Sequence, residues 1–231
     1  MKFIVIEGLD GSGKSTQIKN LRRYLEQKDL SYEYLHFPRT DSRIYGDLIS
    51  RFLRGELGDI ETVNPYLIAL IYAGDRNDAK GLINQWLSQD KLVIVDRYVY
   101  SNIAFQCAKL NTGEEKKELS HWIKDLEFNY YNLPQPDLNI FLDVPFEFTK
   151  HNLTKRRSGN DRNYLNGKED IHEKNIEFQN EVRNIYLNEA KNDTRLNIIR
   201  CADENGVMSQ QQVVFNKLID LLKQENIINN L

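Results

Sequence analysis

What this 231-residue chain has little of already narrows its chemistry. It carries two cysteines, Cys107 and Cys201, far apart in sequence. They form no metal-ligand cluster, and free thiols in a reducing cytoplasm are the expectation. No run of 18 apolar residues occurs, so no segment is expected to cross a membrane. Lys2 is followed by a short apolar run and then Glu7, so no secretory leader is expected. Excess charge is missing too. With 31 Lys and Arg against 34 Asp and Glu, the net charge of −3 gives no global field for nucleic acid. Any polyanion site must be local. The four histidines (His36, His121, His151, His172) are scattered, with no obvious His–carboxylate pair, and each is expected on the surface or in the core. No linker, repeat or low-complexity tract divides the chain, so one domain is expected over residues 1–231.

What is present is ordinary in bulk: 40% hydrophobic and 28% charged residues, as in a globular domain with a sizeable core. The order of the pattern is more telling. Apolar strand-like runs occur at 2–6, 32–37, 91–95, 138–142 and 196–199. Helical spacing fills the intervals, including stretches near 100–110 and 114–130 and one long helix expected from Asp170 to Lys191. Such alternation predicts an α/β fold: five parallel strands with helices on both faces. Ligands then belong beyond the carboxyl ends of the strands. The turn-rich segment within 155–168 reads as a mobile lid, not a boundary.

The stretch that organises the chain is Gly8-Leu9-Asp10-Gly11-Ser12-Gly13-Lys14-Ser15, followed by Thr16. It fits G-x-x-x-x-G-K-[ST] at every fixed position, with a strand before it and a helix after it. Glycines let several backbone N–H groups converge on one hollow, and the helix adds its positive N-terminus. Lys14 can reach the outer phosphates of a nucleoside triphosphate, and the Ser15 hydroxyl can hold Mg²⁺. A phosphate loop alone serves GTPases, motors and kinases alike. Asn216-Lys217-Leu218-Ile219 lacks the aspartate of a guanine-reading N-K-x-D, which weakens the GTPase alternative.

Two further stretches suggest an acceptor. Asp96 ends the third strand run, where a carboxylate can help hold Mg²⁺, and Arg97 beside it can bridge phosphates. The alternative is a structural ion pair. Tyr72 and Arg76 are four apart and share a helix face, so one can stack on a base while the other donates to it. The alternative is a core tyrosine and a surface arginine.

Together these motifs resemble the thymidylate kinase (dTMP kinase) family, in order and spacing along nearly the whole chain. Glu7 to Thr16 matches E-G-x-D-G-x-G-K-S-T, Phe37-Pro38-Arg39 the F-P element with its arginine, and Tyr72 to Arg76 the aromatic-to-arginine helix. Asp96 to Ser101 matches D-R-Y-x-x-S, and Pro134 to Leu138 matches P-x-P-D-L. The resemblance implies a P-loop NTPase fold and transfer of the γ-phosphoryl of ATP, with Mg²⁺, to dTMP. It also implies a homodimer, with no nucleic acid or membrane partner. By position it puts Asp10 near the acceptor's 3′-hydroxyl and phosphate, Tyr72 on thymine, Arg76 at a thymine carbonyl and Arg97 on the acceptor phosphate. Ser101 and Asn102 would line the base pocket, with Phe105 under the sugar, unless it is plain core. Phe37, Pro38 and Tyr164 complete the dTMP set, and adenine is expected against residues 202–206.

The chain departs from the family pattern twice. Arg39 follows Pro38 directly where many members insert a residue, so Arg39 is expected to hold the acceptor phosphate, with Arg43 as a second candidate. The lid also differs: family lids often carry D/E-R-x-x or R-Y near the end, and here it reads Lys155-Arg156-Arg157-Ser158-Gly159-Asn160-Asp161-Arg162-Asn163-Tyr164, while the phosphate loop has Gly11 where one subgroup carries an arginine. The other subgroup brings the transition-state cation from the lid, and Arg156, Arg157 and Arg162 are the candidates here; a solvated basic turn is the alternative. Two other functions stay open: a deoxynucleoside kinase of the same fold, and a non-enzymatic nucleotide sensor.

Overall fold

The structure is a computed structural model and describes residues 2–60, 62–154, 164–166 and 170–228. Five strands form its sheet: β1 (Lys2–Glu7), β2 (Tyr32–His36), β3 (Leu92–Asp96), β4 (Leu138–Asp143) and β5 (Leu196–Arg200). All neighbours are parallel, in the order β2-β3-β1-β4-β5. This is the expected sheet. The chain leaves β1 to one side, for β2, and later crosses to the other, for β4. The strand order therefore reverses beside β1, where a doubly wound sheet opens a crevice at its carboxyl edge.

Alternation along each strand sends side chains to two cores. Phe3, Val5, Val93, Val95 and Phe141 face one; Ile4, Ile6, Ile94, Ile140 and Leu142 face the other. The first core is closed by α3 (Pro65–Ser88), α4 (Val99–Cys107), α5 (Gly113–Lys124) and α8 (Ile176–Asn192). The second is closed by α1 (Lys14–Gln27) and α9 (Gln211–Gln224). A smaller cluster joins α2 (Tyr45–Leu53) to α3. Between β4 and β5 the chain also forms α6 (Phe146–Thr154) and the single turn α7 (Ile171–Lys174).

Two helical expectations need correction. The long helix expected over 170–191 is two helices, α7 and α8, broken at Asn175. Each start has its own cap. Asp170 accepts from the His172 N–H at 2.8 Å, and Asn175 accepts from the Phe178 N–H at 2.9 Å. A capping side chain competes with helix continuation, so the second cap ends the first helix. The helical stretch after 114 does run on to Tyr130, but from Asp125 it is π-helical. Most of the expected lid lies outside the described residues.

Candidate active site

β1 delivers the phosphate loop to the crevice. Gly13 enters α1 with φ of +80°, a conformation that strains any residue with a Cβ, and a Cβ there would meet nothing within 4 Å. The loop thus encloses open space. Gly11, at φ +73°, lies against α6: a Cβ would come 3.2 Å from the Asn152 Cβ, and the Asn152 amide donates to the Gly11 carbonyl at 2.8 Å. A side chain at 11 would therefore have to adopt a strained backbone and press on α6. The Ser12 hydroxyl is buried with no partner, an orphan polar atom in the loop itself.

Lys14 is buried and its ammonium bonds the Asp96 carboxylate. The other Asp96 oxygen lies 3.2 Å from His36 Nδ1 and accepts from the Tyr34 hydroxyl at 3.4 Å. Burial alone would raise the Asp96 pKa, but Lys14 and His36 beside it hold it well below the usual carboxylate range. Burial and Arg97 press Lys14 downward while Asp96 opposes them. Ser15 and Thr16 are exposed to the same hollow. One carboxylate and one hydroxyl at the loop suit a hard cation whose other ligands are phosphate and water oxygens. Among the described residues no cluster of three or more His, Cys, Asp or Glu could cage a metal ion.

The β3–α4 junction supplies the second cation. Arg97 has φ of +66° and its N–H donates to the Ile6 carbonyl at 3.0 Å, which locks it between β1 and β3. Its guanidinium donates to Asp10 at 2.8 Å and Ser101 at 3.2 Å, and lies 5.0 Å above the Phe105 ring. Asp10 sits between Arg97 and the Gln179 amide at 3.0 Å. Burial would raise the Asp10 carboxyl; Arg97, His172 and Gln179 hold it low. Behind them Glu7, wholly buried, accepts from the backbone N–H groups of Tyr98 and Ser101 and the hydroxyls of Ser101 and Tyr186. A buried carboxylate at the start of α4 takes up the free Ser101 N–H of that helix and the Tyr98 N–H before it, which fixes where Ser101 stands.

A cavity of about 910 Å³ gathers these parts. It is lined by Leu9 through Thr16, by Phe37, Pro38, Tyr72, Arg76, Asp96, Arg97, Ser101, Asn102 and Phe105, and by Tyr164. Of the residues expected at the site, Gly8 does not line it. Its role is close packing: a Cβ on Gly8 would sit 2.8 Å from Ser12 Oγ. Arg39 does not line it either. Its guanidinium donates to Asp75 at 2.9 Å and Asp78 at 2.6 Å on α3, and its backbone N–H also donates to Asp75. Two acids one helical turn apart capture the arginine; Thr40 is at the cavity in its place. The loop after β5, bridged at Ala202 and Met208, does not line the cavity. Arg156, Arg157 and Arg162 lie outside the described residues.

Several lining residues were not anticipated. His172, expected as a plain surface or core residue, is buried at the cavity wall within 5.0–5.5 Å of the rings of Phe105, Phe52 and Phe178. Burial, with Lys109 nearby, lowers its pKa to about 3. Asp170 accepts from the Tyr164 hydroxyl at 2.9 Å, and burial and Asp10 raise its pKa to about 7. The run Asp170-Ile171-His172-Glu173 directly behind the lid was the available signal.

A phosphate loop on a β2-β3-β1-β4-β5 parallel sheet, facing a second pocket with its own arginine, defines a P-loop phosphotransferase with a donor side and an acceptor side. The comparisons narrow the class. The thymidylate kinase family model matches residues 6–211. A probable thymidylate kinase of Pyrococcus horikoshii is 32% identical over 96% of this chain and 96% of its own length. Thymidylate kinases of Mycobacterium tuberculosis (31%, 80% of this chain, 83% of theirs) and Plasmodium falciparum (32%, 85% and 81%) are similar too. The solved thymidylate kinase of Candida albicans superposes with a TM-score of 0.71 at 24% identity, covering 99% of this chain and 95% of that one, which shows a shared fold. The chain belongs to the thymidylate kinase family.

Proposed function

We propose that the protein transfers the γ-phosphoryl group of ATP to dTMP, giving ADP and dTDP. The observation that carries the reading is the division of one cavity between a phosphate loop and a base-sized pocket walled by Tyr72, Arg76 and Asn102, with Arg97 between them. A nucleotide sensor needs only the first part. Arg97 at the junction favours an acceptor that already bears a phosphate, which distinguishes the reading from a deoxynucleoside kinase.

The reaction asks little covalent chemistry of the protein. An oxygen of the dTMP phosphate attacks the γ-phosphorus, and the bond to the β-bridging oxygen breaks. The attacking group is an anion near neutral pH, so no general base is required. Catalysis is positioning and charge stabilisation. On nucleotide entry Lys14 exchanges Asp96 for the β- and γ-oxygens; Asp96 and the Ser15 hydroxyl would then be the residues that hold Mg²⁺. The metal, when bound, supplies charge neutralisation on the phosphates. Arg97 clamps the acceptor phosphate and the group in flight, and Asp10 and Gln179 hold its guanidinium in line. Tyr72 stacks on thymine, Ser101 and Asn102 complete the base wall, and Phe105 lies beneath the sugar. Phe37, Pro38 and Thr40 meet the acceptor, and Arg39, paired with Asp75 and Asp78 in the structure, reaches the acceptor phosphate by leaving Asp78 as Lys14 leaves Asp96. One of Arg156, Arg157 and Arg162 supplies the remaining cation when the lid closes and excludes water.

We further read the protein as a cytoplasmic homodimer. Leu67, Leu70 and Leu82 on α3 are 60%, 40% and 39% exposed, which supports pairing through that helix. Both cysteines are buried and free, and among the described residues no helix is long and apolar enough to cross a membrane. Calorimetric titration tests the acceptor side directly. dTMP is expected to bind at least a hundredfold more tightly than thymidine, because Arg97 meets only the former. Equal affinities would overturn the phosphate-bearing acceptor and favour a nucleoside kinase.

A further inference from the structure

We infer that Glu127 is a positioning residue that sets the donor and acceptor polarity of the edge by which the pocket reads its base, an inference that rests on the dTMP reading. Glu127 belongs to the π-helical turn Asp125–Tyr130 that follows α5, is 0% exposed, and does not itself line the cavity. A π-turn re-aims side chains relative to an α-helix and recurs at functional sites. Here it brings a carboxylate against the two residues that wall the base pocket. Glu127 accepts from Arg76 Nε and Nη2, and from Asn102 Nδ2 at 2.9 Å.

The chemistry of a carboxylate then decides the rest. Ionised, it only accepts. The Asn102 atom facing it must therefore be the amide nitrogen, and the Ala69 carbonyl takes that nitrogen's other hydrogen at 3.0 Å. With both donors used, Asn102 Oδ1 remains, buried and with no partner. An orphan acceptor in a cavity wall favours any occupant that brings a donor. Arg76, having used Nε and Nη2, keeps Nη1 as its other donor group. Asn102 and Arg76 both line the cavity, and one unused acceptor on the first with one unused donor group on the second matches the N3–H and adjacent carbonyl of thymine or uracil. Cytosine offers the reverse, a lone pair at N3 and an amino group beside it. Glu127 thus selects an imide base without touching it.

The test is steady-state kinetics of the unmodified enzyme and Glu127→Gln with dTMP, dUMP and dCMP. A glutamine at 127 must set its NH2 against either Arg76 Nε or the donors on Arg76 Nη2 and Asn102 Nδ2, and it removes the charge that holds Arg76, so the Arg76–Asn102 pair loses its fixed orientation. We expect KM for dTMP to rise about tenfold, with kcat and the ATP KM changed less than twofold. The preference for dTMP over dCMP in kcat/KM falls at least tenfold. The dTMP-to-dUMP ratio stays constant, because those bases share the edge. In an Asn102→Ala background the same change adds nothing further to the ratio. Should Glu127→Gln fail to fold, Glu127→Asp keeps the buried charge, shortens its reach and is held to the same ratios. A dTMP-to-dCMP preference that survives in the folded variant, or a uniform loss for all three substrates, overturns the inference. An unmodified enzyme that turns over no dTMP would instead overturn the reading beneath it.

Discussion

Lowering the pH from 7 to 5 probes the aromatic cluster at the cavity wall. His172 sits 5% exposed among Phe52, Phe105 and Phe178, with Nε2 buried and unpartnered. Burial first, and Lys109 second, lower its pKa to about 3; Asp10 opposes them. In the unfolded chain the value is about 6.5. The folded pKa is the lower one, so below pH 6.5 the unfolded chain binds the extra proton and stability is lost as the solution is acidified. At pH 5 the loss is about 2 kcal/mol, from 1.5 pH units at about 1.36 kcal/mol each. Asp170 acts in the opposite sense. Its folded carboxyl is raised to about 7, by burial and Asp10, so it keeps a proton that the unfolded chain releases down to about pH 4. It adds about 2 kcal/mol of stability over the same window. The unmodified protein is therefore nearly level between pH 7 and 5 in this region, and the variants separate the two effects. His172→Phe, which suits a ring cluster, is expected to gain about 2 kcal/mol between pH 7 and 5 relative to the parent, and Asp170→Asn to lose about 2 kcal/mol. Urea unfolding at the two pH values measures both; in thermal melts each corresponds to about 4–8 °C. Parallel pH dependences for the parent and both variants would refute the reasoning.

Other outcomes follow from the same geometry. Lys14→Met should lower kcat at least a hundredfold while circular dichroism stays unchanged; near-parental turnover contradicts its role at the phosphates. Gly74→Ala would place a Cβ 2.2 Å from the Tyr45 ring, so it should destabilise by about 1–3 kcal/mol. On the same helix a Cβ at Gly81 meets nothing within 4 Å, so Gly81→Ala should stabilise by about 0.5–1 kcal/mol. Denaturant midpoints distinguish them, and equal shifts would contradict the packing described for α3. Replacing Arg156, Arg157 and Arg162 singly with alanine should expose one whose loss lowers kcat at least tenfold, and a harmless triple replacement removes the lid from the mechanism.

The sheet and the phosphate loop were legible because both are local. Leu92–Val95 is a continuous apolar run and Leu138–Leu142 is apolar except for Asn139, and the loop's glycines announce their own backbone needs. What stayed hidden depends on partners distant in sequence. The pairing of Arg39 with Asp75 and Asp78, a turn apart on α3, is one such feature, since nothing beside the F-P pair announces it. His172 looked like one of four scattered histidines until α7 folded its ring onto Phe105. Gln179 gave no local sign that it bridges Asp10 and the His172 carbonyl. Glu127 carried no motif of its own in the helical stretch 114–130, and it lies buried in the π-helical turn Asp125–Tyr130. The break at Asn175 was readable in principle, since an asparagine three residues before Phe178 is an ordinary cap, but helical spacing runs through it.

The most direct measurement is product analysis of the purified protein with ATP, Mg²⁺ and either dTMP or thymidine. One dTDP for each ADP from dTMP, with thymidine left untouched, is the predicted result. ATP consumption that yields no dTDP, or phosphorylation of thymidine in place of dTMP, would contradict a cavity built for two nucleotides with Arg97 between them.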